Sequence, residues 1–243
     1  MTFDSWEGFR MTAPTMTGFD VDSIRGTLAS AGYAYVRGLP EDFDHPAELT
    51  RLGPLVPQYG GALVRDVKPD PEVSDTVVSS ANMAELTPHT EWYEFPGLSP
   101  RYVALWCVQP AEGPGGETTL ADGYRLLDDY TMQERERLTI DIRQWRSTPT
   151  LAREGVQEVA YHPIIEIHRS TVLLRFSTLD MLTDDALSQR WVHHGRAFFE
   201  ANKIGIKIER DGLLLWDNWR MLHARNGFSD PRRHLRRVLI ADR

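Results

Sequence analysis

One segment, Leu86-Thr87-Pro88-His89-Thr90-Glu91-Trp92, places more demands on the fold than any other stretch of the chain. Pro88 disfavours the α region for Thr87. In the extended backbone that results, residues i and i+2 point the same way, so His89 and Glu91 can face one metal ion together. Two ligands do not complete a site. The best third candidate is His223, which closes the stretch 212–223, where the apolar run Leu213-Leu214-Leu215-Trp216 leads toward a histidine. Two histidines and one carboxylate make a facial triad, which leaves positions on iron(II) open to a co-substrate and to oxygen. A fold that uses these residues must bring positions 89 and 223 side by side, and a barrel-like β structure does so.

The chain of 243 residues is long enough to bury a large core, and β barrels or sandwiches of this length are commonly one domain. No repeat, linker or low-complexity tract divides it, so residues 1–243 are expected to form a single domain. A hydrophobic fraction of 41% and a charged fraction of 26% suit a globular protein. No apolar run approaches the roughly 20 residues that span a bilayer, and the acidic N-terminal segment shows no secretory pattern. A cytoplasmic protein with no membrane partner is expected. Cys107, the only cysteine, lies in an apolar run and reads as a buried structural thiol. A net charge of −8 argues against nucleic acid as a partner. A small-molecule substrate fits better, and the sequence leaves homo-oligomerisation open.

Hydrophobic periodicity predicts a helix over 20–32, a strand over 33–39, a short helix over 46–52 and short strands at Val64 and at Val77-Val78, after an irregular lead-in over 1–19. The segment 101–108 alternates little, as a strand covered on both faces would. A turn at 112–116 precedes helical segments over 124–130 and 133–138, and strands are expected over 140–145, 163–168 and 172–176. The longest helix should cover 184–202 and bury Leu187, Trp191, His194 and Phe198. Ile204, Ile206 and Ile208 alternate at period 2, and a last strand should cover 235–241.

Other residues gain meaning only beside the triad. Arg233, Leu235, Arg237 and Leu239 share one face of that last strand, and an inward guanidinium can hold a carboxylate through two parallel hydrogen bonds. The plainer reading is a solvated basic edge. Asn82 and Tyr93 flank the ligand segment and are candidates for the substrate pocket, with ordinary loop packing as the alternative. Glu166 and His168 share a strand face and form a minor alternative metal pair.

The ordered series His89-Thr90-Glu91, Gly115-Gly116-Glu117-Thr118-Thr119, Trp216-Asp217-Asn218 with His223, and Arg233 with Arg237 resembles the TauD/TfdA family of iron(II)/2-oxoglutarate-dependent dioxygenases. The resemblance runs from about Asp20 to the C-terminus, and the spelling His-Thr-Glu looks more like its clavaminate synthase-like branch. It implies a mainly β protein with flanking helices around a double-stranded β-helix (jelly-roll) core. It also implies Fe(II), 2-oxoglutarate and O2 as cofactors. On that resemblance His89, Glu91 and His223 would bind the metal, Thr118 and Arg233 the 2-oxoglutarate, and Arg237 an acidic group of the substrate. The interval from His223 to Arg233 is shorter than usual, which keeps Arg236 and Arg237 open as alternative anchors. The implied reaction hydroxylates an unactivated C–H of a small carboxylate-bearing metabolite, such as an amino acid derivative, and releases succinate and carbon dioxide. Desaturation, cyclisation and epoxidation remain alternatives, because they differ by small shifts in substrate placement. Halogenation is disfavoured because Glu91 fills the position a halide needs. More distant readings are a zinc hydrolase with the same ligands and a non-catalytic jelly-roll binding module.

Overall fold

The computed structural model describes residues 14–74, 79–149, 151, 155 and 157–243. Its centre is the strand Tyr102–Gln109, paired antiparallel with Leu213–Asp217 on one side and His234–Ile240 on the other. Tyr33–Arg37 and Thr15–Thr17 extend the sheet beyond Leu213–Asp217, while Leu55–Val56 and Val64–Val67 both pair with His234–Ile240. A second sheet runs Ile204–Ile206, Thr118–Asp122, Met221–Arg225, Leu86–His89.

Successive side chains of a strand point to opposite faces, and that alternation builds the layers. Leu105, Leu214, Trp216 and Leu235 of the first sheet meet Leu120 and Ile206 of the second in a shared core. The intervening residues Ala104, Trp106, Leu213 and Val238 pack outward against Ile24 and Leu28 of the helix Val21–Ala31. On the far side, Ala121, Leu222 and Ala224 pack against Trp191 and Phe199 of the helix Ala186–Asn202. Central strands are thus buried on both faces, as the weak alternation over 101–108 requires. The order is helix, sheet, sheet, helix.

Local chemistry sets the element ends. Asp20 accepts from Ser23 N at the start of Val21–Ala31, and Gly32 ends it at φ 82°, a left-handed conformation that costs glycine least. Thr131 and Glu134 form a capping box at the start of Met132–Ile140, and at its end the Asp141 N–H donates to Arg137 O, so the helix runs through Ile140. The strand expected over 140–145 therefore begins only at Arg143 and runs to Arg146. Within the expected lead-in, Thr15–Thr17 is a short strand; residues 1–13, and the strand expected at Val77-Val78, lie outside the described residues.

The buried row of Ala186–Asn202 is Leu187, Trp191, Gly195 and Phe199, whereas His194 and Phe198 are only half-buried. Gly195 explains the shift. A Cβ there would lie 2.3 Å from Phe176 Cε2, so a residue with no side chain lets the helix settle onto Phe176 along this row. Among the described residues no helix is long and apolar enough to cross a membrane.

His45 is buried with its ring stacked on Trp106, centroids 5.1 Å apart, and burial pushes its pKa down to about 4. In the unfolded chain it titrates near 6.5, so as pH falls the unfolded state takes the proton first. The stability His45 contributes is complete above pH 6.5 and is lost between about 6.5 and 4, with a slope approaching about 1.4 kcal/mol per pH unit. The variant His45→Phe keeps the stack without the titration. Its melting temperature should fall less steeply than that of the unaltered protein across that window, and equal slopes would show that His45 is not a source of acid sensitivity.

Candidate metal centre

Strand pairing sets His89 directly opposite His223, with ring centroids 4.2 Å apart. His89 Nδ1 lies 2.8 Å from the Thr87 carbonyl, so that nitrogen carries the proton and Nε2 is left to accept a metal. His223 is kept neutral: burial, then the charges of His89 and Arg237, push its pKa well below the usual histidine range. Its Nδ1 is buried without a hydrogen-bond partner, and the Trp216 ring packs 4.9 Å away.

Glu91 follows the strand Leu86–His89 and is held by Asn218. The Asn218 Oδ1 accepts from Glu91 N at 2.6 Å, and its Nδ2 donates to Glu91 O at 3.1 Å and to Pro100 O at 3.0 Å. The turn that carries Glu91 includes Trp92 at φ 64°, an uncommon conformation for a bulky residue. Arg175 helps hold it there. Fully buried, Arg175 donates to Trp92 O at 3.1 Å and Gly97 O at 2.7 Å, with Glu166 at 2.7 Å as counter-ion.

Ligand atoms of His89, Glu91 and His223 lie within 4.8 Å of one another. A neutral imidazole pair and one carboxylate converging at that spacing suit a divalent ion of the first transition row. Arg237 Nη1 sits 3.0 and 2.9 Å from the two Glu91 oxygens, supplying the counter-charge that a buried carboxylate needs. Arg237 Nε donates to Gln58 Oε1 at 2.8 Å, and its guanidinium also lies against the Tyr59 hydroxyl.

Two cavities meet at this centre. One lies between the sheets, walled by Leu105, Trp216 and Leu235, with Thr118 and Arg233 on its polar side. Arg233 is 4% exposed, rests over the Phe228 ring, and has no carboxylate in ion-pair range among the described residues. Burial lowers its pKa to about 10, which leaves it cationic at neutral pH. The Gly115–Gly116 turn fits closely beside it: Gly115 has φ 84°, and a Cβ there would meet Gly227 O at 1.9 Å.

The other cavity is lined by Tyr59, Arg65, Tyr93, Glu94, Ser177 and Asp180 together with the candidate ligands His89 and Glu91. Tyr93 OH donates to Asp180 Oδ2 at 2.5 Å, and its ring stands edge-on to His89 with centroids 6.5 Å apart.

The remaining candidates fall elsewhere. Asn82 does not line these cavities; its Nδ2 donates to Ser74 O at 3.0 Å and its Oδ1 accepts from Arg225 Nη2 at 3.3 Å. Glu166 and His168 do not converge: Glu166 serves Arg175, while His168 packs edge-on to Trp219 and lies 3.9 Å from Asp242. Arg236 points to the exposed face, 3.7 Å from Asp66, which removes it as an anchor. Glu94, Asp180 and Arg175 gave no sequence signal, because nothing in their local pattern announces a partner so far along the chain.

Replacing Asn218 with Ala strips two polar partners from the buried Glu91 backbone. The variant should lose about 1–3 kcal/mol of stability and bind a divalent ion such as cobalt(II) more weakly by calorimetry. An unchanged melting temperature and unchanged affinity would show that the clamp is idle.

The model of the "Taurine catabolism dioxygenase TauD, TfdA family" matches residues 7–239. Trimethyllysine dioxygenase of Meyerozyma guilliermondii is 24% identical over 224 residues, 83% of this chain and 53% of that protein. The mitochondrial trimethyllysine dioxygenase of Rattus norvegicus is 23% identical over 83% of this chain and 50% of its own length. The chain thus spans about half the length of these curated relatives. Among solved structures, an asparagine oxygenase in complex with Fe(II), 3-hydroxyasparagine and succinate superposes with a TM-score of 0.75 at 21% identity, covering 90% of this chain and 78% of that one. The non-heme iron oxygenase OrfP, solved with Fe and α-ketoglutaric acid, gives 0.68 at 17% identity, covering 91% and 79%. The two facing sheets are the double-stranded β-helix core of such oxygenases. With the family model matched over nearly the whole chain, this protein belongs to the TauD/TfdA family.

Proposed function

We propose that the chain is a single catalytic domain, an iron(II)/2-oxoglutarate-dependent dioxygenase that hydroxylates an unactivated C–H of a small, carboxylate-bearing, amino-acid-like metabolite. The observation that carries this reading is the pairing of a buried His89–Glu91–His223 cluster with an uncompensated Arg233 and Thr118 in the cavity beside it. Family membership, with relatives and neighbours named for trimethyllysine, 3-hydroxyasparagine and hydroxyarginine, supports the amino-acid class. A net charge of −8 supports a small-molecule partner over nucleic acid, and the lone buried thiol Cys107 suits a cytoplasmic setting.

In this reading His89, Glu91 and His223 hold the metal, and Arg237 neutralises Glu91. Arg233 takes the far carboxylate of 2-oxoglutarate through a bidentate pair, with Thr118 donating from the neighbouring strand. Leu105, Trp216 and Leu235 keep water away from that cavity. When bound, iron(II) with 2-oxoglutarate and oxygen supplies the oxidising chemistry and releases succinate and carbon dioxide. The substrate enters the cavity that holds Tyr93, where Arg237 on the cavity wall would attract an acidic group. A zinc hydrolase would give Arg233 no work. Glu91 fills the coordination position that halogenation requires.

His223→Ala should abolish metal-dependent 2-oxoglutarate decarboxylation, and undiminished turnover would remove this site. Losing a bidentate arginine from a buried carboxylate costs on the order of 2–5 kcal/mol. Arg233→Ala should therefore raise the apparent KM for 2-oxoglutarate about thirtyfold or more. Arg237→Ala should weaken the primary substrate and, by freeing Glu91, metal retention as well. If Arg237→Ala alone disturbed 2-oxoglutarate, the anchor assignments would exchange.

A further inference from the structure

The substrate-side cavity holds a second arginine to which the reading above gives no role. Arg65 lines that cavity beside the candidate ligands His89 and Glu91 and is half-buried. It stands directly opposite Arg237 where Val64–Val67 pairs antiparallel with His234–Ile240, so both side chains leave the sheet on one face. Like charges so placed repel each other. Glu91 answers Arg237, whose Nε donates to Gln58 and whose Nη2 has no accessible surface. Arg237 is therefore a source of charge with little of its own edge to offer a ligand.

Arg65 is placed differently. Its guanidinium lies over the Tyr59 ring, 4.9 Å from the centroid, while the Tyr59 hydroxyl meets Arg237. A guanidinium stacked by its face keeps its N–H edge in position for a planar anion. The other charges of the cavity do not cancel its field. Burial first, then the charges of Glu91 and Asp180, push the Glu94 pKa up to about 8, so that carboxyl is largely uncharged at neutral pH. Asp180 accepts from Tyr93 and Ser177. When both are bound, a divalent metal ion and the 2-oxoglutarate dianion balance each other.

We propose that Arg65, held on the Tyr59 ring, makes the direct contact with the substrate's carboxylate and so selects an acid over its uncharged amide, with Arg237 adding charge from behind. This inference rests on the dioxygenase reading and names the residue that reading lacks, an arginine with surface on the cavity for the acidic group. It makes Arg65 a determinant of specificity, separate from the metal ligands and from Arg233.

The test is calorimetry without oxygen on protein loaded with iron(II) and 2-oxoglutarate, so that binding is read without turnover. The probes are the common L-amino acids and trimethyllysine, each paired with its C-terminal amide. The unaltered protein should bind at least one acid about tenfold tighter than its amide. Arg65→Gln should cut that preference below about threefold while the affinities for iron(II) and 2-oxoglutarate hold. Arg65→Lys keeps the charge without the planar fork and should give an intermediate preference. The proposal is overturned if no acid outbinds its amide, or if Arg65→Gln prefers the acid as the unaltered protein does. It is overturned as well if the preference is lost only together with iron(II) or 2-oxoglutarate affinity, as a merely structural Arg65 would require. Should Arg65→Gln not fold, Arg65→Lys decides, and an undiminished preference there counts against the proposal. Failure of the unaltered, iron-loaded protein to bind 2-oxoglutarate overturns the dioxygenase reading and this inference with it.

Discussion

The antiparallel register that sets His223 opposite His89 is the constraint on which the site depends. Side chains alternate along a strand, so a slip of one residue in Met221–Arg225 would turn His223 outward toward the helix Ala186–Asn202 and bring Leu222 or Ala224 to the metal side. The register is held from outside the site. Leu222 and Ala224 are buried against Trp191 and Phe199, and Met221 and Trp216 against the core between the sheets. Packing of apolar residues on both faces thus fixes which polar residues face the metal centre. Along His234–Ile240 the same alternation buries Leu235, Arg237 and Leu239 and leaves Arg236 exposed, and Arg233, just before the strand, is buried as well.

Charge distribution follows from that geometry. A buried carboxylate beside a neutral imidazole pair is unfavourable without a counter-ion, and Arg237 supplies it to Glu91 at 2.9 Å. Burial first opposes the cationic form of Arg237, but Glu91 and its neighbours outweigh this and raise its pKa. Arg233 has no such partner among the described residues, and burial lowers its pKa with little to offset it. The two arginines are therefore not equivalent: Arg237, within the strand His234–Ile240, is matched by Glu91, whereas Arg233, just before that strand, meets no carboxylate in ion-pair range among the described residues.

The loop over 91–97 is where these demands meet. It carries Glu91 and Glu94 through Trp92 at positive φ, and such strain persists only where surrounding bonds over-determine it. Asn218 on one side and the Arg175–Glu166 pair on the other provide those bonds. Glu166, read from the sequence as half of an alternative metal pair, thus acts as the counter-ion of the arginine that shapes the metal loop.

The sequence by itself offered the candidate metal ligands, the mainly β architecture with its flanking helices, and the inward face of the last strand. Each rests on local chemistry: proline before a His-x-Glu, period-2 and period-3.6 apolar patterns, and capping residues such as Asp20. Tertiary structure alone decided the rest. The buried row of Ala186–Asn202 depends on how closely Gly195 approaches Phe176, and the role of Arg237 depends on Glu91 being within reach. Asn82 was drawn away from the cavity by Arg225, and Glu94 and Asp180 were brought into it together. These are pairings between residues distant in the chain, and local patterns hold no record of which distant side chain will arrive, because that is set by the packing of two sheets against each other.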